Sequence, residues 1–162
     1  MTTDPRQLVE VLTARGETIA TAESLTGGQL AALFTSVPGA SACFLGGVVS
    51  YATAVKASLL SVSESVIDKH GVVSAECAGA MASGARTLLG ATYGVATTGV
   101  AGPDRQEDKP VGLVWVAVAG PEGVQARMLD LEGDRATIQA GSCRGALSVL
   151  DGMLRMEDSG LG

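Results

Sequence analysis

The sequence predicts a three-layer α/β/α sandwich, of the α/β class, with a mixed sheet of about five strands. Three observations support this prediction. Helical and strand-like hydrophobic patterns alternate through most of the chain, which is typical of a sheet covered by helices. Two strand patterns then follow one another across a turn at Gly120–Gly123, and a long amphipathic pattern comes last. With 162 residues, of which 46% are hydrophobic, one domain over residues 1–162 is expected.

In the first half of the chain, caps and chain breakers mark the elements. Asp4 followed by Pro5 is typical of a helix N-terminus, and Gly16 is typical of a helix end. Pro38 stops the second helix. The expected elements are a helix over residues 5–15, a strand over 18–22, a helix beginning near Thr26, a strand over 44–51 and a helix over 53–60.

In the second half, Ser63, Ser74 and Asp134 each precede a helical pattern and are expected to cap it. The last residues, after about residue 156, are expected to be frayed. The expected elements are helices over residues 63–70 and 74–89, strands over 93–98, 112–119 and 124–131, and a terminal helix from Asp134.

Charge and composition exclude several functional classes. The net charge of −6 and the pI of about 4.7 argue against a nucleic-acid or anionic-membrane surface. Glycine and proline pairs interrupt the apolar runs, and the N-terminus lacks a signal-peptide pattern. We therefore expect a soluble, cytoplasmic protein without a membrane partner. Cys43, Cys77 and Cys143 are far apart and His70 is the one histidine, so no metal site is expected.

The stretch between Glu23 and Lys56 contains no charged residue and is the candidate location of the chemistry. Sites in α/β sheets form where strands end, and Ser24, Tyr51 and Thr98 lie at predicted strand ends. A glycine-rich turn into a helix follows Ser24, and its free N–H groups suit a phosphate, a carboxylate or an oxyanion. A helix cap with tight packing explains the same residues without any function.

Lys56 is the candidate general base for Ser24. Near a helix start, and without a charged neighbour in the preceding stretch, its neutral form is favoured. A serine activated by a lysine is then the most economical nucleophile in this chain. Tyr51 is a candidate for relaying a proton or orienting the substrate. Simple solvation of Lys56 and a boundary position for Tyr51 are the alternative interpretations.

Backbone donors and basic side chains near a third strand end offer partners for an anion. The TTGVAGP segment over residues 97–103 supplies hydroxyls and N–H groups there. Arg135 and Arg144, in the terminal helix, are candidate anion partners. Either arginine is equally explained as a surface charge.

Six segments together resemble the C-terminal domain of the competence/damage-inducible protein CinA. They are TAESLTGG, FLGGVVSYATAVKASLL, HGVVSAECAGAMASGAR, TTGVAGP, KPVGLVWVAV and GDRATI, in the same order and with similar spacing over residues 5–155. Six segments in register are far more specific than any one of them. The resemblance implies an α/β/α sandwich that is usually oligomeric and needs no metal or cofactor, so a homo-oligomer is expected.

Stand-alone members of this family are nicotinamide mononucleotide deamidases. The resemblance therefore implies hydrolysis of the carboxamide of nicotinamide mononucleotide to nicotinic acid mononucleotide and ammonia, in pyridine nucleotide salvage. It makes Ser24 the nucleophile, Lys56 its base and Tyr51 a catalytic partner. The residues expected to contact the substrate are Thr26, Gly27, Gly28, Ser41, Thr98, Gly99 and Arg135.

Two positions depart from the family pattern. A glycine-rich segment often follows TGxAGP in the family, whereas this chain has DRQEDK over residues 104–109. The family also commonly has an arginine four residues beyond the one in GDR, where this chain has Gln139. If that arginine binds the substrate phosphate, Arg135, Arg105 or Arg144 would have to replace it. A non-catalytic nucleotide-binding or regulatory domain is the alternative function.

Overall fold

In the computed structural model, which describes residues 2–160, helices separate the first three strands, with three consecutive helices before the third strand, and the last three strands follow one another before a terminal helix. The helices are α1 (Pro5–Arg15), α2 (Gln29–Thr35), α3 (Thr53–Leu60), α4 (Glu64–His70), α5 (Ala75–Leu89) and α6 (Arg135–Asp158). The strands are β1 (Ile19–Glu23), β2 (Phe44–Val49), β3 (Tyr93–Gly99), β4 (Leu113–Gly120) and β5 (Gly123–Asp130). A short 3-10 turn (Ala40–Ala42) precedes β2.

The helix caps predicted from the sequence are confirmed. The side chains of Asp4, Ser63, Ser74 and Asp134 each accept a hydrogen bond from a backbone N–H in the first turn of the following helix. Gly16 has a φ of 67° and ends α1, as expected for a left-handed residue after a helix. Local capping therefore defines these helix boundaries.

The five strands form one mixed sheet in the order β2-β1-β3-β4-β5, which confirms the predicted α/β class. β1 lies parallel to β2 and β3, whereas β4 is antiparallel to β3, and β5 to β4. Helices α1, α2 and α6 pack on one face of the sheet, and α3, α4 and α5 on the other. The carboxyl ends of the three parallel strands therefore meet at one edge.

The two faces of the sheet carry side chains of different size. Alanines such as Ala22 and Ala96 face α5, whereas Val95 and other larger residues face α6. A Cβ added at Gly94 would lie 2.0 Å from the carbonyl oxygen of Ala82 in α5. Helix α5 thus lies very close to the sheet, so small side chains fill the space between them and few aromatic residues are needed.

Two element boundaries differ from the sequence prediction. Helix α2 begins at Gln29 rather than near Thr26, because Gly27 and Gly28 have φ values of 56° and 104°, outside the helical region. Strand β2 ends at Val49, two residues before the predicted end, and the chain then turns towards α3.

Contacts with the rest of the chain reach the last turn of α6, beyond residue 156, where the fraying expected from the sequence stays a prediction. The helix continues to Asp158. Tyr93 Oη donates to Glu157 at 2.5 Å, and Arg15 forms ion pairs with Glu157 and Asp158. These contacts join the last turn of α6 to β3 and α1. No helix in the described part of the chain combines the length and the apolar character needed to cross a membrane.

Candidate active site

The residues predicted to be catalytic lie together at the carboxyl edge of the parallel strands. Ser24 directly follows β1, Ser50 and Tyr51 follow β2, and Gly99 is the last residue of β3. The ladder pairs Glu23, the last residue of β1, with residues near the ends of both neighbouring strands. Three chain segments therefore leave the sheet side by side, as expected for a site in an α/β fold.

Lys56 reaches Ser24 from the first turn of α3. Its Nζ lies 2.9 Å from Ser24 Oγ, and the lysine is only 1% exposed. A nucleophile and its base must be within direct hydrogen-bond reach, and this pair is. The contact that the sequence left open is present.

Two backbone carbonyls occupy the other hydrogen-bonding positions of the Lys56 amine. Nζ donates to the oxygen of Ser50 at 2.6 Å and to that of Tyr51 at 3.2 Å. Carbonyl oxygens only accept, so both of these bonds use N–H groups of the lysine. In a neutral amine those are the only two N–H groups, and the lone pair is left to accept the Ser24 hydroxyl proton.

Burial lowers the pKa of Lys56 below its ordinary value, because the interior disfavours the ammonium form. Two smaller influences, from Cys77 and then from the Glu107 carboxylate, raise the pKa and oppose this shift. Within residues 2–160, Lys56 forms no ion pair with a carboxylate. The largest influence on the lysine thus favours the form that can act as a base.

A polar cavity of about 240 Å³ lies beside Ser24. Arg135 lines it and donates from Nη2 to Tyr51 Oη at 3.0 Å and from Nη1 to the Gly102 oxygen at 2.7 Å. Tyr51 is 61% exposed, so its ring lies at the mouth of the cavity. Arg105 adds a second guanidinium to the lining. No group of three or more His, Cys, Asp or Glu side chains that could hold a metal ion occurs in the described residues.

The N-terminus of α2 is occupied by a carboxylate of the chain itself. Glu23 is 1% exposed and accepts from the N–H groups of Leu30 at 2.8 Å and Ala31 at 3.1 Å, and from the Thr26 hydroxyl at 2.6 Å. The sequence predicted that residues 26–28 would contact substrate, but they do not line the cavity. Glu23 already satisfies the free N–H groups that an external anion would need.

Two further residues with predicted substrate contacts lie away from the cavity. The Thr98 side chain is buried on the α5 side of the sheet, where its hydroxyl donates to the Val72 oxygen at 2.7 Å. The ladder pairs Glu23 with Thr97, so Thr98 follows on the same face of the sheet as Ser24, but its hydroxyl is bonded to the backbone and it does not line the cavity. Ser41 precedes β2 and therefore lies at the amino edge of the sheet, opposite the site. Gly99 does line the cavity, and its contact with substrate stays a prediction.

Some contacts of the site were not visible in the sequence. Gln139 donates from its amide to the Leu25 oxygen at 2.8 Å, directly beside the nucleophile. Ser50 contributes a backbone carbonyl, which leaves no signature in the side-chain pattern. Gln106 lines the cavity from a segment whose only signal was its charge. Arg144, an anion candidate, instead faces a groove between α2 and α6.

Comparison with known sequences connects this fold and site to one family. Residues 2–154 match the family model described as the CinA C-terminal domain. A CinA-like protein of Frankia casuarinae is 54% identical over 144 residues, covering 89% of this chain and 33% of that protein. A CinA-like protein of Anaeromyxobacter sp. (strain K) is 46% identical over 152 residues, covering 93% of this chain and 37% of that protein. The chain thus spans about a third of the length of these relatives.

Solved structures show the same fold. A CinA superfamily protein from Klebsiella pneumoniae has a TM-score of 0.90 and 33% identity, covering 93% of this chain and 95% of that chain. The competence/damage-inducible protein CihA from Agrobacterium tumefaciens has a TM-score of 0.88 and 34% identity, covering 93% of each chain. Sequence and fold agree, and the chain belongs to the family of the CinA C-terminal domain.

Proposed function

We propose that this chain is an amidohydrolase that converts nicotinamide mononucleotide to nicotinic acid mononucleotide and ammonia through a Ser24–Lys56 pair. The observation that carries the proposal is the 2.9 Å contact between Lys56 Nζ and Ser24 Oγ, with two carbonyls bound at the other positions of the amine. Such a contact activates a serine without a histidine. The resemblance to the stand-alone members of the family supports the same reaction and substrate.

Lys56 serves as base and then as acid in this mechanism. Its neutral amine accepts the Ser24 proton while Oγ attacks the carboxamide carbon. The tetrahedral intermediate collapses, the C–N bond breaks, and the Lys56 ammonium returns the proton to the nitrogen, which leaves as ammonia. Lys56 then deprotonates a water molecule that attacks the acyl ester, releasing the acid and restoring the Ser24 hydroxyl.

Positive charge around the cavity supports an anionic substrate. Arg105 and Arg135 both line the cavity that contains Ser24. A guanidinium binds a phosphate through two parallel N–H bonds, so these arginines suit the phosphate of a mononucleotide. The Tyr51 hydroxyl accepts from Arg135 and keeps that guanidinium at the cavity mouth. In the proposal the phosphate contacts the arginines while the carboxamide lies at Ser24.

The test is release of ammonia and nicotinic acid mononucleotide from nicotinamide mononucleotide by the purified protein, with EDTA present. Ser24→Ala should lower kcat by about a thousandfold or more, because the nucleophile is lost. Ser36→Ala, an exposed serine at the end of α2, is the matched control and should react at the normal rate. Wild-type release no greater than that of Ser24→Ala would refute the proposal.

A non-catalytic nucleotide-binding or regulatory domain is the second candidate. Gln139 favours it, because the amide is bonded to the Leu25 oxygen at a position where the family commonly has arginine. The altered segment 104–109 favours it as well. Calorimetry with nicotinamide mononucleotide separates the two functions. Tight binding without turnover would support the second candidate, and ready turnover would reject it.

A further inference from the structure

The segment between β3 and β4 forms one wall of the Ser24 cavity. Asp104, Arg105 and Gln106 of this segment line the cavity together with Arg135. These residues lie outside the helices and strands, so neither a helix nor a ladder of the main sheet holds them in position. The contacts that fasten this segment therefore determine the shape of the cavity.

Two consecutive residues of the segment have a left-handed backbone. Glu107 and Asp108 have φ values of 53° and 57°, and Gln106 pairs with Lys109 across them. Glycine or asparagine usually occupies such a turn, because a side chain crowds the backbone at positive φ. Other side chains persist there when the surrounding contacts hold them in place.

The Glu107 carboxylate supplies those contacts. One oxygen accepts from the N–H of Val72 at 2.9 Å, and the other accepts from the N–H of Val73 at 3.3 Å. Lys109 donates to the Val73 oxygen and lies 3.8 Å from the same carboxylate. The turn is thereby bonded to residues 71–74, the connection between α4 and α5.

We propose that Glu107 is a positioning residue that bonds the cavity wall to the α4–α5 connection and so holds Arg105 and Gln106 in place for the substrate. The kinetic part of this inference rests on the proposed function. The bond from Arg135 to the Gly102 oxygen holds only the beginning of the segment. Glu107 holds its far end, beyond the residues that line the cavity.

Glu107 also acts on the catalytic lysine through its charge. Burial is the largest influence and lowers the pKa of Lys56, whereas Cys77 of α5 and then the Glu107 carboxylate raise it. Lys109, beside the carboxylate, is the neighbouring cation. Removing the Glu107 charge should lower the pKa of Lys56 further and move the acidic limb of the rate profile to lower pH. A role limited to fold stability would not move this limb.

Trypsin cleavage after Arg105 tests the anchor independently of catalysis. Glu107→Ala should speed this cut about tenfold, because two hydrogen bonds to a carboxylate no longer oppose opening of the segment. Pro110 follows Lys109, and trypsin does not cut readily before proline, so cleavage after Lys109 does not interfere with the measurement. Asp108→Asn is the matched control, since it removes a carboxylate from the same turn, and it should be cut at the wild-type rate. Equal rates for wild type and Glu107→Ala would overturn the anchor.

The kinetic test measures kcat and KM for nicotinamide mononucleotide across pH. Glu107→Ala should raise KM about tenfold with kcat within about twofold at the pH plateau. Glu107→Gln should raise KM less, because its amide oxygen still accepts an N–H bond, and both variants should move the acidic limb to lower pH. Asp108→Asn should change neither quantity.

Each outcome of these measurements decides a separate point. Unchanged KM and an unmoved acidic limb in both Glu107 variants, with normal wild-type turnover, would overturn the role in substrate positioning. Should Glu107→Ala fail to fold, Glu107→Gln provides the same comparisons with smaller changes in cleavage and KM. If the wild type releases no ammonia, the proposed function fails, while the trypsin comparison still decides the anchor.

Discussion

Lys56 is the residue at which burial favours one protonation state, the neutral amine. A buried ammonium is costly without a carboxylate partner, and the two carbonyls and one hydroxyl around Lys56 provide all the hydrogen bonds that the neutral amine needs. The pairing with Ser24 was predictable, because the stretch before Lys56 contains no charge and both residues lie at strand ends. The carbonyls of Ser50 and Tyr51 were not predictable, since every residue has a carbonyl and only the fold orients it.

Replacing Lys56 by arginine should remove activity while the positive charge is kept. A guanidinium does not lose its proton in proteins, so the new side chain could not accept the proton of Ser24. We expect kcat for ammonia release to fall about a thousandfold or more. Lys69→Arg, at the exposed end of α4, is the matched control and should leave kcat unchanged. A Lys56→Arg rate within about tenfold of the wild type would contradict the role of the lysine as base.

In the connection from β1 to α2, the sequence predicts the free N–H groups at the helix start but does not indicate which group binds them. The glycine-rich turn correctly predicts free N–H groups at the start of a helix, but the anion that binds them is Glu23 of the preceding strand. Alternation along a strand indicates which face a side chain lies on. It does not indicate whether the last side chain of the strand turns back beneath the following helix.

Glu23→Gln should therefore loosen the turn that carries Ser24. A glutamine amide presents N–H groups where one carboxylate oxygen now accepts, so the N–H of Leu30 or Ala31 loses its partner. We expect the free energy of unfolding, measured by urea denaturation, to fall by about 1–3 kcal/mol.

Glu122→Gln removes the same charge from the exposed β4–β5 turn and is the control, with a change below about 0.5 kcal/mol. Equal stabilities of the Glu23 and Glu122 variants would show that the carboxylate is not needed at the start of α2.

Across the whole molecule, local signals predicted the architecture, whereas long-range contacts could not be predicted from them. Caps such as Ser74 and Asp134 depend on residues a few positions away, so they could be read directly. The last turn of α6 contacts Tyr93 and Arg15, which are distant in sequence from Glu157. Ser41 was assigned to the site by its motif, but the parallel arrangement of β2 places it at the opposite edge of the sheet.

The close approach of α5 to the sheet makes a prediction for the molecule as a whole. Gly94→Ala would place a Cβ 2.0 Å from the Ala82 oxygen and 3.0 Å from the Arg86 nitrogen, both backbone atoms of α5. The helix must move as a unit to admit this methyl group. We expect the free energy of unfolding to fall by about 3 kcal/mol or more, at the upper end of the cost of overpacking.

Gly152→Ala in α6 is the same substitution in open space, where an added Cβ meets nothing within 4 Å. It should raise the free energy of unfolding by about 0.5–1 kcal/mol, because alanine favours the helix and restricts the unfolded chain. Urea denaturation of the two variants beside the wild type measures both changes. If the fold depends on close packing of α5 against small residues of the sheet, the free energy of unfolding should fall in Gly94→Ala and rise in Gly152→Ala. A Gly94→Ala protein as stable as the Gly152→Ala protein would contradict this account, because α5 would then have room to shift without cost.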